Sequence, residues 1–115
     1  MENERFYNKL VRDKIPQIIE SNGKNEVAFT RLLDNTEYGI ELNKKLQEEV
    51  QEYLADESLE EMADILEVIH GLLLFKNKTF ANLEQVRKEK AEKRGGFEKR
   101  IFLEKVKTRQ TPFCC

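Results

Sequence analysis

A chain of 115 residues with 37% charged and 9% aromatic side chains, two prolines and no tryptophan has the composition of a single helical domain spanning residues 1–115. The net charge of −2 argues against a generic nucleic-acid binder. No apolar run approaches the ~20 residues that span a bilayer, and the charged start lacks a signal-peptide core, so no membrane association and a cytoplasmic location are expected. The two cysteines, Cys114 and Cys115, are adjacent and terminal. They can neither staple a fold nor supply metal-ligand spacing, and a reduced solvated tail is expected.

In chain order, Asp13 is placed to cap a short helix from Lys14, with Pro16 tolerated in the first turn and Asn22-Gly23 ending it. Val27 to Leu33 mixes β-branched and apolar residues without helical spacing and reads as extended or irregular. The capping cluster Asp34 to Thr36 opens a long helix to about Ala55, with Leu42, Leu46, Val50 and Tyr53 as its apolar stripe. After a turn over Ala55 to Ser58, a third helix from about Leu59 to Phe75 is apolar over most of its circumference and is expected to be central. A fourth runs from about Thr79 to Lys93 and stops at Gly95-Gly96. The fold class is all-α: an antiparallel helical bundle around a central metal-binding helix pair, with short irregular or extended segments at the ends.

Between Glu48 and Glu67 lie nine acidic side chains and no lysine or arginine. Four of them form two i, i+3 pairs, Glu49 with Glu52 and Glu61 with Asp64, and residues three apart on a helix share a face. If the two helices fold back on each other, both pairs converge on one spot, where their mutual repulsion makes sense mainly around a hard divalent cation. Glu49 falls beside Leu42 and Tyr53 at the margin of the apolar stripe, and Glu61 lies among Ile65, Leu72, Val68 and Phe75. An acid so placed is costly unless paired or ligated. The bland alternatives are a capping box over Ser58 to Glu61, which accounts for Glu61 alone, and an ordinary solvated acidic surface. His70, on the apolar side near Leu66 and Leu74, reads as a hydrogen-bonded core or interface residue rather than a ligand.

The C-terminal third has the opposite sign, with nine Lys or Arg against five Glu from Glu84 to Lys107. Lys90 and Arg94, spaced i, i+4, project from one face at a helix end beside Gly95-Gly96, where backbone can approach a ligand closely. Next to an acid-held cation this is a candidate phosphate site. The alternative is a helix C-terminus whose basic residues complement the dipole and whose glycine is its cap.

The string Lys45 to Glu52 followed by Glu60 to Leu66 resembles the EExxE...ExxD signature of the MazG-like all-α nucleoside triphosphate pyrophosphohydrolases and their phosphoribosyl-ATP pyrophosphohydrolase relatives. Tyr7-Asn8-Lys9-Leu10-Val11-Arg12-Asp13-Lys14-Ile15-Pro16 and Lys93-Arg94-Gly95-Gly96-Phe97 are similar to the ends of a small single-domain branch of that superfamily. The resemblance implies hydrolysis of a nucleoside triphosphate, often noncanonical, to the monophosphate and pyrophosphate. Glu49, Glu52, Glu61 and Asp64 would be Mg²⁺ ligands, with Mn²⁺ as an alternative ion and Glu48 as a further carboxylate beside them. Glu48 or Glu49 would orient or deprotonate the attacking water. Lys90, Lys93 and Arg94 would contact phosphates, and Lys9, Arg12 and Lys14 are further candidates for that task, unless their motif docks the N-terminus.

No residue can be matched to a nucleobase contact: Tyr7, Phe29, Tyr38 and Phe97 could stack on a base but read first as core packing. A phosphoribosyl-ATP activity is the lesser substrate reading. The alternative of another class is a noncatalytic helical interaction module that pairs through Leu59 to Phe75. The surplus apolar surface of that helix, together with the resemblance, leads to the expectation of a homodimer or larger homo-oligomer.

Overall fold

Capping chemistry decides where the helices begin. The computed structural model describes residues 3–109, and its regular elements are α1 (Ile15–Glu20), α2 (Asn35–Ala55), α3 (Leu59–Phe75) and α4 (Phe80–Arg94), with no strand among the described residues. Asp34 accepts a hydrogen bond from the Glu37 amide at 2.8 Å and starts α2. Ser58 accepts from the Glu61 amide at 3.3 Å and starts α3. At α4 the exchange is reciprocal: Thr79 Oγ1 accepts from the Asn82 amide at 3.1 Å while Asn82 accepts from the Thr79 amide at 2.9 Å. Each cap satisfies amides that the first helical turn leaves without a partner. α1 departs from expectation. Lys14 stands at its N-cap with no side-chain bond, so Asp13 does not cap it, and the helix lasts six residues. Gly23, at φ 80°, takes the left-handed turn that follows. Cys114 and Cys115 lie outside the described residues.

The packed unit is α2 against α3. Asp56 to Ser58 reverse the chain, and the register is antiparallel: Tyr38 meets Phe75 edge-on with ring centroids 5.8 Å apart, while Leu42 lies over Gly71. Two glycines permit this approach. A Cβ on Gly39 would stand 2.6 Å from Phe75 Cζ, and one on Gly71 would stand 2.9 Å from Leu42 Cδ2. Between them the helices bury Leu42, 3% exposed, and Val68, 7% exposed, the buried apolar side chains among the described residues.

One side of α3 is covered and the other is not, which corrects the expectation of a fully central helix. Leu59, Met62, Leu66 and Leu74 remain exposed, because α2 is the one element that packs extensively on α3 and a single helix covers only one flank. α4 meets α3 through the Phe80 ring, 4.3 Å from the His70 ring, and His70 is otherwise exposed. Val27 to Leu33 are irregular, as expected, and Tyr7, Phe29 and Phe97 are exposed rather than packed in a core. The radius of gyration is 22.3 Å, against about 13 Å for a compact domain of this length. No helix among the described residues is long and apolar enough to cross a membrane.

Candidate metal centre

The turn end of the α2–α3 pair carries the chemistry. Glu49 and Glu52 lie one turn apart near the C-terminus of α2, and Glu61 and Asp64 lie one turn apart near the N-terminus of α3. Antiparallel packing brings the pairs together: one carboxylate oxygen from each of the four falls within 4.8 Å of all the others. Opposite ligands of an octahedral Mg²⁺ stand about 4.2 Å apart and those of Ca²⁺ about 5 Å, so the spread of these oxygens is of the size that one such ion spans.

Burial and hydrogen bonding set Glu49 and Glu61 apart from an ordinary solvated surface, whereas Glu52 is exposed and Asp64 half-buried. Glu49 is 7% exposed, and its Oε2, like Glu61 Oε2, is shut from solvent without a hydrogen-bond donor among the described residues. Buried carboxylate oxygens without donors are costly, and a cation between them removes that cost. The capping-box account of Glu61 fails at the side chain: its amide donates to Ser58, but its carboxylate does not return the bond and turns into the cluster instead. All donors are hard oxygen atoms, and the residue types suit Mg²⁺, Mn²⁺ or Ca²⁺. The four acids could therefore hold a metal ion.

The electrostatics follow from the same crowding. Burial pushes the Glu49 carboxyl above its ordinary value; the adjacent Glu52 carboxylate adds to this, and Lys45 opposes it. Glu61 is raised too, by burial first and then by the charges of Asp64, Asp56, Glu49 and Glu60. Glu48 behaves differently. Partial burial pushes it up, but Lys9 and Lys45 outweigh this and hold it below the ordinary carboxylate value.

Glu48 thus stands beside the cluster, not in it, bonded to Lys9 Nζ at 3.1 Å and Lys45 Nζ at 3.4 Å. Lys45 also reaches Glu49 Oε1 at 3.3 Å. Its role escaped the sequence reading, although its i, i+3 and i, i+4 spacing to Glu48 and Glu49 is the signal that could have disclosed it. Arg12 Nη2 donates to Asp64 Oδ1 at 2.6 Å. Lys14 is exposed at the start of α1. Lys90, Lys93 and Arg94 are exposed along the last turns of α4 and take no part in the ion pairs that these acids make among the described residues; Gly95, at φ 82°, is the α4 cap. At the far end of the pair an open groove of about 360 Å³ lies among Asn35, Thr36, Gly39, Asn43, Phe75 and Lys76. No family model, no curated protein and no solved structure matches the chain.

Proposed function

We propose that the chain is a metal-dependent nucleoside triphosphate pyrophosphohydrolase that releases pyrophosphate and the monophosphate, with Glu49, Glu52, Glu61 and Asp64 as the ligands of Mg²⁺ or Mn²⁺. The observation that carries this reading is the convergence of four carboxylates within 4.8 Å, two of them with an oxygen buried and without a donor among the described residues. The resemblance of Glu48-Glu49...Glu52 and Glu61...Asp64 to the MazG-like signature supplies the reaction class. A cation bound there supplies charge neutralisation at phosphate oxygens and acidifies a water. Of the two candidate bases, Glu49 is the one inside the cluster: it is buried, with one oxygen reached by Lys45 and the other without a donor among the described residues. Glu48, held ionised by two lysines, is better suited to anchoring those lysines. The exposed apolar face of α3 supports the further proposal that the working unit is a homodimer or larger assembly. The substrate class is a nucleoside triphosphate, canonical or modified.

The test is a panel of nucleoside triphosphates incubated with the protein and Mg²⁺, with products separated by chromatography. Pyrophosphate with the monophosphate is expected, and Glu49→Gln and Asp64→Asn should each lower both turnover and calorimetric Mg²⁺ affinity by at least roughly tenfold, since each removes one charged ligand. A diphosphate with orthophosphate would show that the wrong bond has been assigned. Undiminished Mg²⁺ binding in both variants would remove the metal centre.

A further inference from the structure

Two cations of the N-terminal arm are held at the rim of the acidic cluster, and they are not the basic residues that the charge pattern of the chain makes most conspicuous. We infer that Lys9 and Arg12 form the polyphosphate-binding lip of the site, each tethered to a rim carboxylate by one hydrogen bond while its remaining N–H groups receive the phosphates. The inference rests on the metal-centre reading above and deepens it by assigning the groups that grip the substrate.

Three observations carry it. The first is placement. Arg12 bonds Asp64 Oδ1, one of the four acids, at 2.6 Å, and Lys9 bonds Oε1 of the adjoining Glu48 at 3.1 Å, so both cations border the cluster. The arm is positioned to do this: Asn8, at φ 45°, takes a left-handed conformation that asparagine tolerates, a bend follows at Lys9, and Leu10 and Val11 are half-buried between the two cations. Phe6 and Tyr7 on one side and Asp13 on the other are exposed.

The second observation is unused donor capacity. A guanidinium carries five N–H groups and an ammonium three, and among the described residues Arg12 and Lys9 each spend one on the protein. Their side chains are 54% and 42% exposed, which leaves solvent access for further bonds. Lys45 contrasts with both: its side chain is 17% exposed and it is engaged by two carboxylates, as befits a structural counter-ion.

The third observation is charge. Five carboxylates, Glu48, Glu49, Glu52, Glu61 and Asp64, stand with three cations, Lys9, Arg12 and Lys45, and the difference equals the charge of one divalent ion. Without Lys9 and Arg12 the loaded site would keep two negative charges, added to by Asp56 and Glu60 nearby, and would repel the polyphosphate it is meant to bind. With them those two charges are cancelled, leaving only the more distant field of Asp56 and Glu60, and charge-assisted bonds to phosphate oxygens become favourable.

Because the base is unassigned, the probe is inorganic imidotriphosphate, whose P–N–P bridges resist hydrolysis, titrated calorimetrically with Mg²⁺ present. Lys9→Gln and Arg12→Gln should each weaken its binding by roughly tenfold, the scale of one lost charge-assisted contact. Mg²⁺ alone should bind both variants at least as tightly as the parent chain, since each removes a competing positive charge. Lys44→Gln, which deletes an equal charge from the neighbouring surface, should bind the probe as the parent does. Circular dichroism confirms that the variants keep their helices. The assignment is overturned if the double variant Lys9→Gln/Arg12→Gln binds the probe as tightly as Lys44→Gln does, or if Arg12→Gln loses Mg²⁺ binding in parallel, which would make Arg12 a strut for Asp64. Failure of the parent chain to take up Mg²⁺ at all is a separate result: it removes the metal centre and this lip with it.

Discussion

At the scale of single residues, Glu49 and Glu61 set how the chain responds to pH. Both carboxyls are raised above the ordinary value of 4.5, so the folded chain holds their protons more tightly than the unfolded chain does. Their protonated forms favour folding below 4.5, and that contribution is lost as pH rises from 4.5 through the raised values. Glu48 has the opposite sign: its depressed value gives stability that is present above 4.5 and lost as pH falls through the folded value. The two effects occupy different windows and can be separated. In chelator, thermal melting should show stability falling as pH climbs above 4.5. With Mg²⁺ present the fall should vanish or reverse, because a metal takes its ligands ionised and its affinity rises as they lose protons. A melting temperature that falls over this window equally with and without Mg²⁺ would mean that no ion relieves these two acids.

At the scale of elements, the α2–α3 pair depends on two glycines that helix propensity alone would disfavour. Alanine at Gly39 should gain up to about 1 kcal/mol of helix propensity. It would also drive a methyl to 2.6 Å from a Phe75 ring that is already set edge-on against Tyr38. Overpacking of a fitted contact costs about 1–3 kcal/mol, so the net expectation for Gly39→Ala is a loss of about 1 kcal/mol and a lower melting midpoint in urea. An unchanged or raised midpoint would show that the ring yields freely and that the glycine is not needed for close approach. The consequence reaches the candidate centre, because the register that places Gly39 against Phe75 also places Glu49 and Glu52 opposite Glu61 and Asp64.

At the scale of the whole molecule, a radius of gyration of 22.3 Å and an open α3 face describe a chain that does not enclose its own apolar surface. Covering that face against a second copy would remove apolar area from water at about 25 cal/mol per Å². Light scattering coupled to size exclusion should therefore give a mass of at least twice 13.6 kDa at micromolar concentration, and a mass of 13.6 kDa would show that the chain is content with the face uncovered. Much of this was legible beforehand. The limits of α2 and α3, the irregular stretch before them and the burial of Glu49 follow from capping residues and from the 100° step of a helix, which are local properties written in consecutive side chains. The expected cap at Asp13 rests on local pattern too, and it fails because Lys14 takes the N-cap position and α1 starts one residue later than an Asp13 cap requires. Periodicity shows which helix faces are apolar, but not how many neighbours come to cover them, and so the exposure of Leu59, Met62, Leu66 and Leu74 emerged only from the packing. The same holds for charge. The sequence by itself determined that four acids share two helix faces, because spacing within a helix is rigid. Lys45 is local to α2 and its spacing to Glu48 and Glu49 is legible, but only the tertiary structure decided that the other cations beside the acids come from Lys9 and Arg12 and not from α4, because a contact between residues 12 and 64 is made by chain reversal, which no local pattern encodes.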